Sequence, residues 1–130
     1  MANAVLVDSS FFIQRFRERR DPLLELRDRA DEWDIATCGL VWVETCRGFK
    51  QPAVRRRYDD AFALMLFAPT DAAVWEQAAQ LGWELDRAGK RIPAPDLVVA
   101  ASALAIDASV CAFDVHFHHV PGLRVISPLD

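Results

Sequence analysis

The sequence predicts an α/β fold, a mostly parallel sheet with helices over both faces, and three observations carry that reading. Ala4-Val-Leu-Val7 is a short, β-branched and unalternating apolar run, the pattern of a strand buried on both sides. Ser109-Val-Cys-Ala-Phe113 repeats it near the other end, and the two runs stop at acids, Asp8 and Asp114. Between them lie segments of helical periodicity with helix-start residues. Strands alternating with helices imply βαβ crossovers.

Each element follows from local chemistry. Ser9 or Ser10 is placed to cap a helix that starts near Phe11. Asp21-Pro22 opens a second, since Asp caps well and Pro is tolerated in the first helical position. Its Leu23, Leu24 and Leu26 precede a polar stretch, Arg27 to Glu32, and Trp33-Asp-Ile-Ala36 reads as the next strand. From Gly39 to Phe49, Leu40, Val43, Glu44 and Arg47 share one helical face, and Pro52 starts another helix running through Leu64. Ala68-Pro69-Thr70 breaks the chain, with Thr70 as a cap. Val74, Ala78, Leu81, Leu85 and Ala88 then keep 3.6-residue spacing up to Gly89. Pro93 to Asp96 begins a helix with the stripe Leu97, Val98, Ala101, Leu104 and Ala105, and Leu123-Arg-Val-Ile126 is the last expected strand.

Composition narrows the class. A chain of 130 residues, 52% hydrophobic and 26% charged, fits one domain spanning 1–130 around one core. No apolar run approaches the roughly 20 residues that cross a bilayer. The start of the chain lacks the basic region of a secretory signal. Cys38, Cys46 and Cys111 are an odd and widely spaced set, which suits reduced thiols in a cytoplasmic protein. Fifteen basic against nineteen acidic residues give a net charge of -4, so bulk charge does not attract nucleic acid. Local blocks do differ. Arg15, Arg17, Arg19 and Arg20 crowd one segment, and Arg55, Arg56 and Arg57 another; phosphate contacts and solvated helix faces are both open readings.

Four acids carry the chemistry. In open parallel sheets ligands bind beyond the carboxyl ends of the strands, where Asp8 and Asp114 fall. Asp96 lies in the first turn of a helix expected to begin at that edge. Glu44 interrupts the apolar run Leu40-Val-Trp-Val43, a costly place for an unpaired carboxylate. Each has a plainer use: Asp8 as a cap, Glu44 paired with Arg47, Asp96 against a helix dipole, Asp114 as a turn residue. Together they would repel one another unless a cation neutralised them. Oxygen donors without Cys or His select Mg²⁺ or Mn²⁺, and such a pocket suits phosphodiester hydrolysis.

These residues resemble a known family. Val5-Leu-Val-Asp8-Ser-Ser10, Thr37-Cys-Gly-Leu-Val-Trp-Val-Glu44-Thr-Cys-Arg-Gly48, Ile92-Pro-Ala-Pro-Asp96-Leu-Val-Val-Ala-Ala101 and Phe113-Asp114-Val-His-Phe117 look like PIN domains, specifically VapC-type ribonuclease toxins of type II toxin–antitoxin pairs. The resemblance implies a three-layer α/β/α fold and Mg²⁺- or Mn²⁺-dependent cleavage of single-stranded RNA regions, leaving a 5′-phosphate and a 3′-hydroxyl. It implies a cognate VapB-like antitoxin that blocks the site, and a homodimer. It assigns Asp8, Asp96 and Asp114 as metal ligands, with Glu44 orienting a water or ligating a second ion. Ser10 supports the site, and Arg15, Arg17 and Arg19 are candidates for RNA phosphates. Two positions depart from the family pattern: Ala112 stands where a hydroxyl is common, and His116 where a further Asp is common.

Other constellations carry less. His116, His118 and His119 with Cys111 match no zinc spacing and read as a surface loop. Trp33, Trp42, Trp75 and Trp83 sit in apolar patterns and read as core. An aspartyl-nucleophile phosphatase or phosphotransferase would want an acid where Ser10 stands. A receiver domain would want a late Lys, and the lysines are Lys50 and Lys90. A PIN-like domain that only binds protein would not need four acids.

Overall fold

The computed structural model describes residues 3–128. Strands β1 (Ala4–Val7), β2 (Asp34–Cys38), β3 (Leu66–Ala68), β4 (Ser109–Cys111) and β5 (Val125–Ile126) form one sheet in the order β3-β2-β1-β4-β5. Every pairing is parallel, so the expected mostly parallel sheet is wholly so among the described residues. β1 is central and all four of its residues are buried, as its unbroken apolar run requires. Leu6 aligns with Ala36 on one side and Val110 on the other.

Helices α1 (Ser9–Arg17) and α2 (Pro22–Asp28) join β1 to β2, and α3 (Gly39–Cys46) and α4 (Pro52–Leu64) join β2 to β3. Then α5 (Ala72–Arg87) and α6 (Ala94–Ala105) carry the chain back past β2 and β1 to β4. Right-handed crossovers in opposite directions put α1–α4 over one face and α5 with α6 over the other. α1 packs on α3, α3 on α4, and α5 on α6. The result is the three-layer α/β/α arrangement. The reversal of direction falls between β1 and β4, where such sheets open a crevice.

Several local expectations are corrected. The cap of α1 is Asp8, whose side chain accepts from Ser10 N, and the cap of α5 is Asp71 rather than Thr70. Strand β3 went unforeseen because Leu66 and Phe67 are exposed and only Ala68 is buried. The expected strands Ser109–Phe113 and Leu123–Ile126 shorten to Ser109–Cys111 and Val125–Ile126, and the one from Trp33 runs from Asp34 to Cys38. Val74, Ala78, Leu81 and Leu85 do face the core from α5, but Ala88, just past the helix end, is exposed. Trp75 and Trp83 lie off that stripe and are more than half exposed, so they are not core. Trp42 is half-buried: it stacks on Phe62 and donates from Nε1 to Asp59 Oδ1 at 2.8 Å. Helix α6, sandwiched between sheet and α5, buries Val98 through Ala103 without interruption instead of one stripe.

Arg15 is the largest departure. It is 2% exposed, far from a surface phosphate contact. Its Nε and Nη2 donate to Glu25 at 3.0 and 2.9 Å, Nη1 to Glu18 at 3.0 Å, and Nη2 also to the Pro128 carbonyl at 3.0 Å. The guanidinium lies 5.1 Å from the Phe11 ring centre and 4.9 Å from that of Phe113, near enough for cation–π attraction. The arginine is therefore a clamp between α1, α2 and the segment after β5. Truncating it strands Glu25 beside an apolar cavity. Because Glu25 is about a quarter exposed and can rehydrate, Arg15→Ala is expected to cost about 2–3 kcal/mol, below the usual penalty for a fully buried pair. Urea denaturation reads this as a lowered midpoint, and a wild-type midpoint would contradict the clamp.

Candidate functional site

Asp8 follows the last residue of β1, and its N–H donates to the Cys111 carbonyl at 2.9 Å, which locks it beside β4. Its side chain is turned into the first turn of α1, where Ser10 N donates to Oδ2 at 3.1 Å. Only 3% of the residue is exposed. Burial pushes its pKa up; the Ser10 side chain and amide pull it down, and the charge of Glu44 pushes it up again. Ser10 also accepts from Phe113 N at 3.1 Å, so it ties Asp8 to the chain just before Asp114.

Glu44 lies on α3, half-buried, and its Oε1 accepts from Ser9 Oγ at 3.0 Å. Ser9 is a contact that sequence reasoning missed, having treated it only as a cap. Asp96 sits in the first turn of α6 and Asp114 follows β4, where its side chain caps a 3₁₀ turn (Val115–His119) by accepting from His116 N. His116 Nδ1 stands 3.0 Å from Asp96 Oδ2 and 2.8 Å from Asp114 Oδ1. One donor atom from each of Asp96, Asp114 and His116 lies within 4.8 Å of the others, the one such group among the described residues.

The electrostatics link these residues to Asp8. Burial pushes the Asp96 carboxyl up to about 6, the His116 hydrogen bond opposes that, and the charges of Asp114 and Asp8 add to it. The hydrogen bond to Asp96 holds the His116 imidazole above its usual pKa, with Asp114 assisting against some desolvation. Asp8 thus feels Glu44 on one side and Asp96 on the other. The structure brings the expected acids to the carboxyl ends of β1 and β4, at the point where the sheet changes direction. Clustered oxygen donors with one imidazole suit a hard or borderline divalent cation, and the mutual repulsion of the acids favours one.

The sequence profile of the PIN domain matches residues 5–123. The chain belongs to the PIN domain family. Comparison with curated protein sequences finds no match. Solved PIN-like structures are similar along nearly the whole length. VapBC2 of Rickettsia felis, bound to a promoter DNA fragment, is 21% identical with a TM-score of 0.76, covering 95% of this chain and 97% of that one. VapBC-1 of nontypeable Haemophilus influenzae is 14% identical with a TM-score of 0.76 and the same coverage. VapC20 of Mycobacterium tuberculosis, a toxin that cleaves the sarcin–ricin loop, is 18% identical with a TM-score of 0.61, covering 92% and 98%. At these identities the likeness is one of fold.

Within this PIN domain the remaining candidates separate. Arg17 and Arg19 are exposed and make no ion pair among the described residues. Arg19 has a φ of 57°, in the left-handed region that ends α1. Arg55 pairs with Asp59 and Arg57 with Asp21. His118 and His119 are exposed and Cys111 is buried in the sheet, so the zinc constellation does not form, while His116 turns from the loop reading into the site. Its signal was present: it stands two residues past a strand-end acid, at a position where the family often has a carboxylate.

The pH dependence of stability follows from these shifts. Asp8, Asp96 and His116 all hold protons more tightly folded than unfolded. Their contribution is complete below the ordinary pKa values and is lost as pH rises through the folded ones. The ion-free protein should therefore lose stability as pH rises from about 4 through about 6, where Asp96 titrates, and again as pH passes above the ordinary histidine value of about 6.5. Glu18 and Asp59, held below the ordinary range by Gln14 and Trp42, act with the opposite sign only in more acid solution. Melting temperatures across that window check the trend, and Asp96→Asn should flatten it. Added Mn²⁺ should stabilise more as pH rises, because it binds the deprotonated donors.

Proposed function

We propose that this chain is a Mg²⁺- or Mn²⁺-dependent endoribonuclease toxin of the VapC type, which cleaves single-stranded regions of RNA and is held off by a VapB-like antitoxin. The observation that supports this most is the convergence of Asp8, Asp96 and Asp114, with Glu44 beside them, at the switch point of a PIN fold. Asp8, Asp96 and Asp114 would hold the ion. When bound, the ion supplies positive charge to the phosphodiester and polarises water, the two requirements of hydrolysis at phosphorus. Glu44, with Oε1 engaged by Ser9, offers its other oxygen to orient the attacking water and take up its proton. Ser10 keeps Asp8 and the Asp114 segment in register. Cleavage would leave a 5′-phosphate and a 3′-hydroxyl.

RNA would be positioned by exposed cations, with Arg17, Arg19 and Arg56 as candidates; Arg15 is spent on the clamp. An antitoxin has apolar surface to meet. A groove of about 520 Å³ is lined by Trp42, Val43, Cys46, Arg47, Arg55 and Phe67, beside the exposed edge strand β3. The similar structures that are VapBC complexes support a partner of that kind, and the family resemblance supports a homodimer. A toxin acting on cellular RNA would work in the cytoplasm, and among the described residues no helix is long and apolar enough to cross a membrane. The phosphatase reading loses support because Asp8 is buried and hydrogen-bonded by a helix amide, a poor state for a nucleophile.

Incubating the purified protein with RNA and Mn²⁺ or Mg²⁺ should yield new 5′-phosphate ends, and chelation should stop it. Asp8→Asn and Asp96→Asn should each lower the rate by about two orders of magnitude or more while retaining the fold by circular dichroism. Cleavage at the wild-type rate by either variant would remove the proposal. Independently, RNA affinity should fall as salt rises, and Arg17→Ala with Arg19→Ala should make that fall shallower.

A further inference from the structure

We infer that His116 is itself an inner ligand of the divalent ion, through Nδ1, and that this nitrogen makes the site favour Mn²⁺ over Mg²⁺. The inference rests on the metal-dependent reading above and goes beyond it in naming a ligand and a preference. Its basis is placement. Nδ1 points between two carboxylate oxygens, at 3.0 Å from Asp96 and 2.8 Å from Asp114. Neighbouring donors around an octahedral ion with bonds of about 2.1 Å lie about 3.0 Å apart, so both edges that meet at Nδ1 already have the spacing of a coordination sphere, and the third pair of donors lies within 4.8 Å.

The imidazole is also pre-set. Asp114 Oδ1 accepts from His116 N at 3.0 Å while facing the ring nitrogen, so the acid fixes backbone and ring of its neighbour together. The 3₁₀ turn behind it is anchored by Phe117, which is fully buried. A ring held this way loses little freedom on ligation. The other histidines of the segment, His118 and His119, are exposed and do not compete for the role.

Selectivity follows from donor chemistry. Mg²⁺ takes oxygen donors and gives up water reluctantly, whereas imidazole suits transition ions. Replacing one carboxylate by one neutral nitrogen lowers the charge offered to Mg²⁺ and adds a donor that Mn²⁺ accepts. The His116→Asp variant restores an all-oxygen set at the same position. It should bind Mg²⁺ better relative to Mn²⁺, lowering the ratio of the two affinities by about tenfold.

The test is Mn²⁺ binding to the full chain, followed by electron paramagnetic resonance with electron spin-echo envelope modulation. The expected result is bound Mn²⁺ whose echo carries ¹⁴N modulation, changed by ¹⁵N-histidine labelling. The modulation should vanish in His116→Asp, which still binds Mn²⁺, and persist in a His118→Asn, His119→Asn double variant. Bound Mn²⁺ without nitrogen modulation would overturn this assignment and leave the metal centre of the acids standing. Modulation surviving in His116→Asp would overturn it as well. Failure of the wild type to bind Mn²⁺ at all would overturn the metal-dependent reading together with this one.

Discussion

Burying carboxylates beside one another is the constraint on this site, and the sheet is what enforces it. Asp8 cannot move away, because its own N–H is bonded to β4 and its side chain is drawn into the first turn of α1. Asp114 is fixed by the turn that it caps, and Asp96 by the first turn of α6. The parallel register of β1 with β4 thus sets negative groups near one another whether or not that is comfortable for the chain. Burial raises the pKa values of Asp8 and Asp96, and the neighbouring acids add to the rise. His116 is the local answer available within the polypeptide, an imidazole between two of the acids whose proton they help to hold.

The molecule handles its other buried charge differently. Arg15 is surrounded by Glu18, Glu25, a carbonyl and two aromatic faces, so its charge is fully answered. A matched centre and an unmatched one therefore stand at the same helix, α1: one where charges are answered, one where they are left in excess. That contrast separates a structural ion pair from a cation-hungry pocket more clearly than burial does, since Asp8 and Arg15 are about equally hidden.

Much of this was legible in the sequence. The unalternating run at Ala4–Val7 marked the central strand, and the acids after such runs marked the edge where Asp8, Asp96 and Asp114 come together. What periodicity could not reveal were choices made by tertiary context. β3 is three residues long with two of them exposed, so it leaves no burial pattern to read. Trp75 and Trp83 lie within an apolar stretch yet off the core stripe, a distinction that rests on which face of α5 meets α6. Arg15 looks like its exposed neighbours Arg17 and Arg19 until Glu25 and the residues near Pro128 are folded against it. His116 was hidden by company: three histidines in four residues suggest a loop, and only the turn capped by Asp114 singles one out.

The Arg15 guanidinium lies over the Phe113 ring, which couples distant parts of the chain. Phe113 is next in sequence to Asp114, so the guanidinium braces the segment that carries this acid. A substitution at Glu25, on a different helix, would loosen that brace through the arginine. Changes that loosen the Asp114 segment, and the second-site changes that restore it, should accordingly map to α2 as well as to the segment itself.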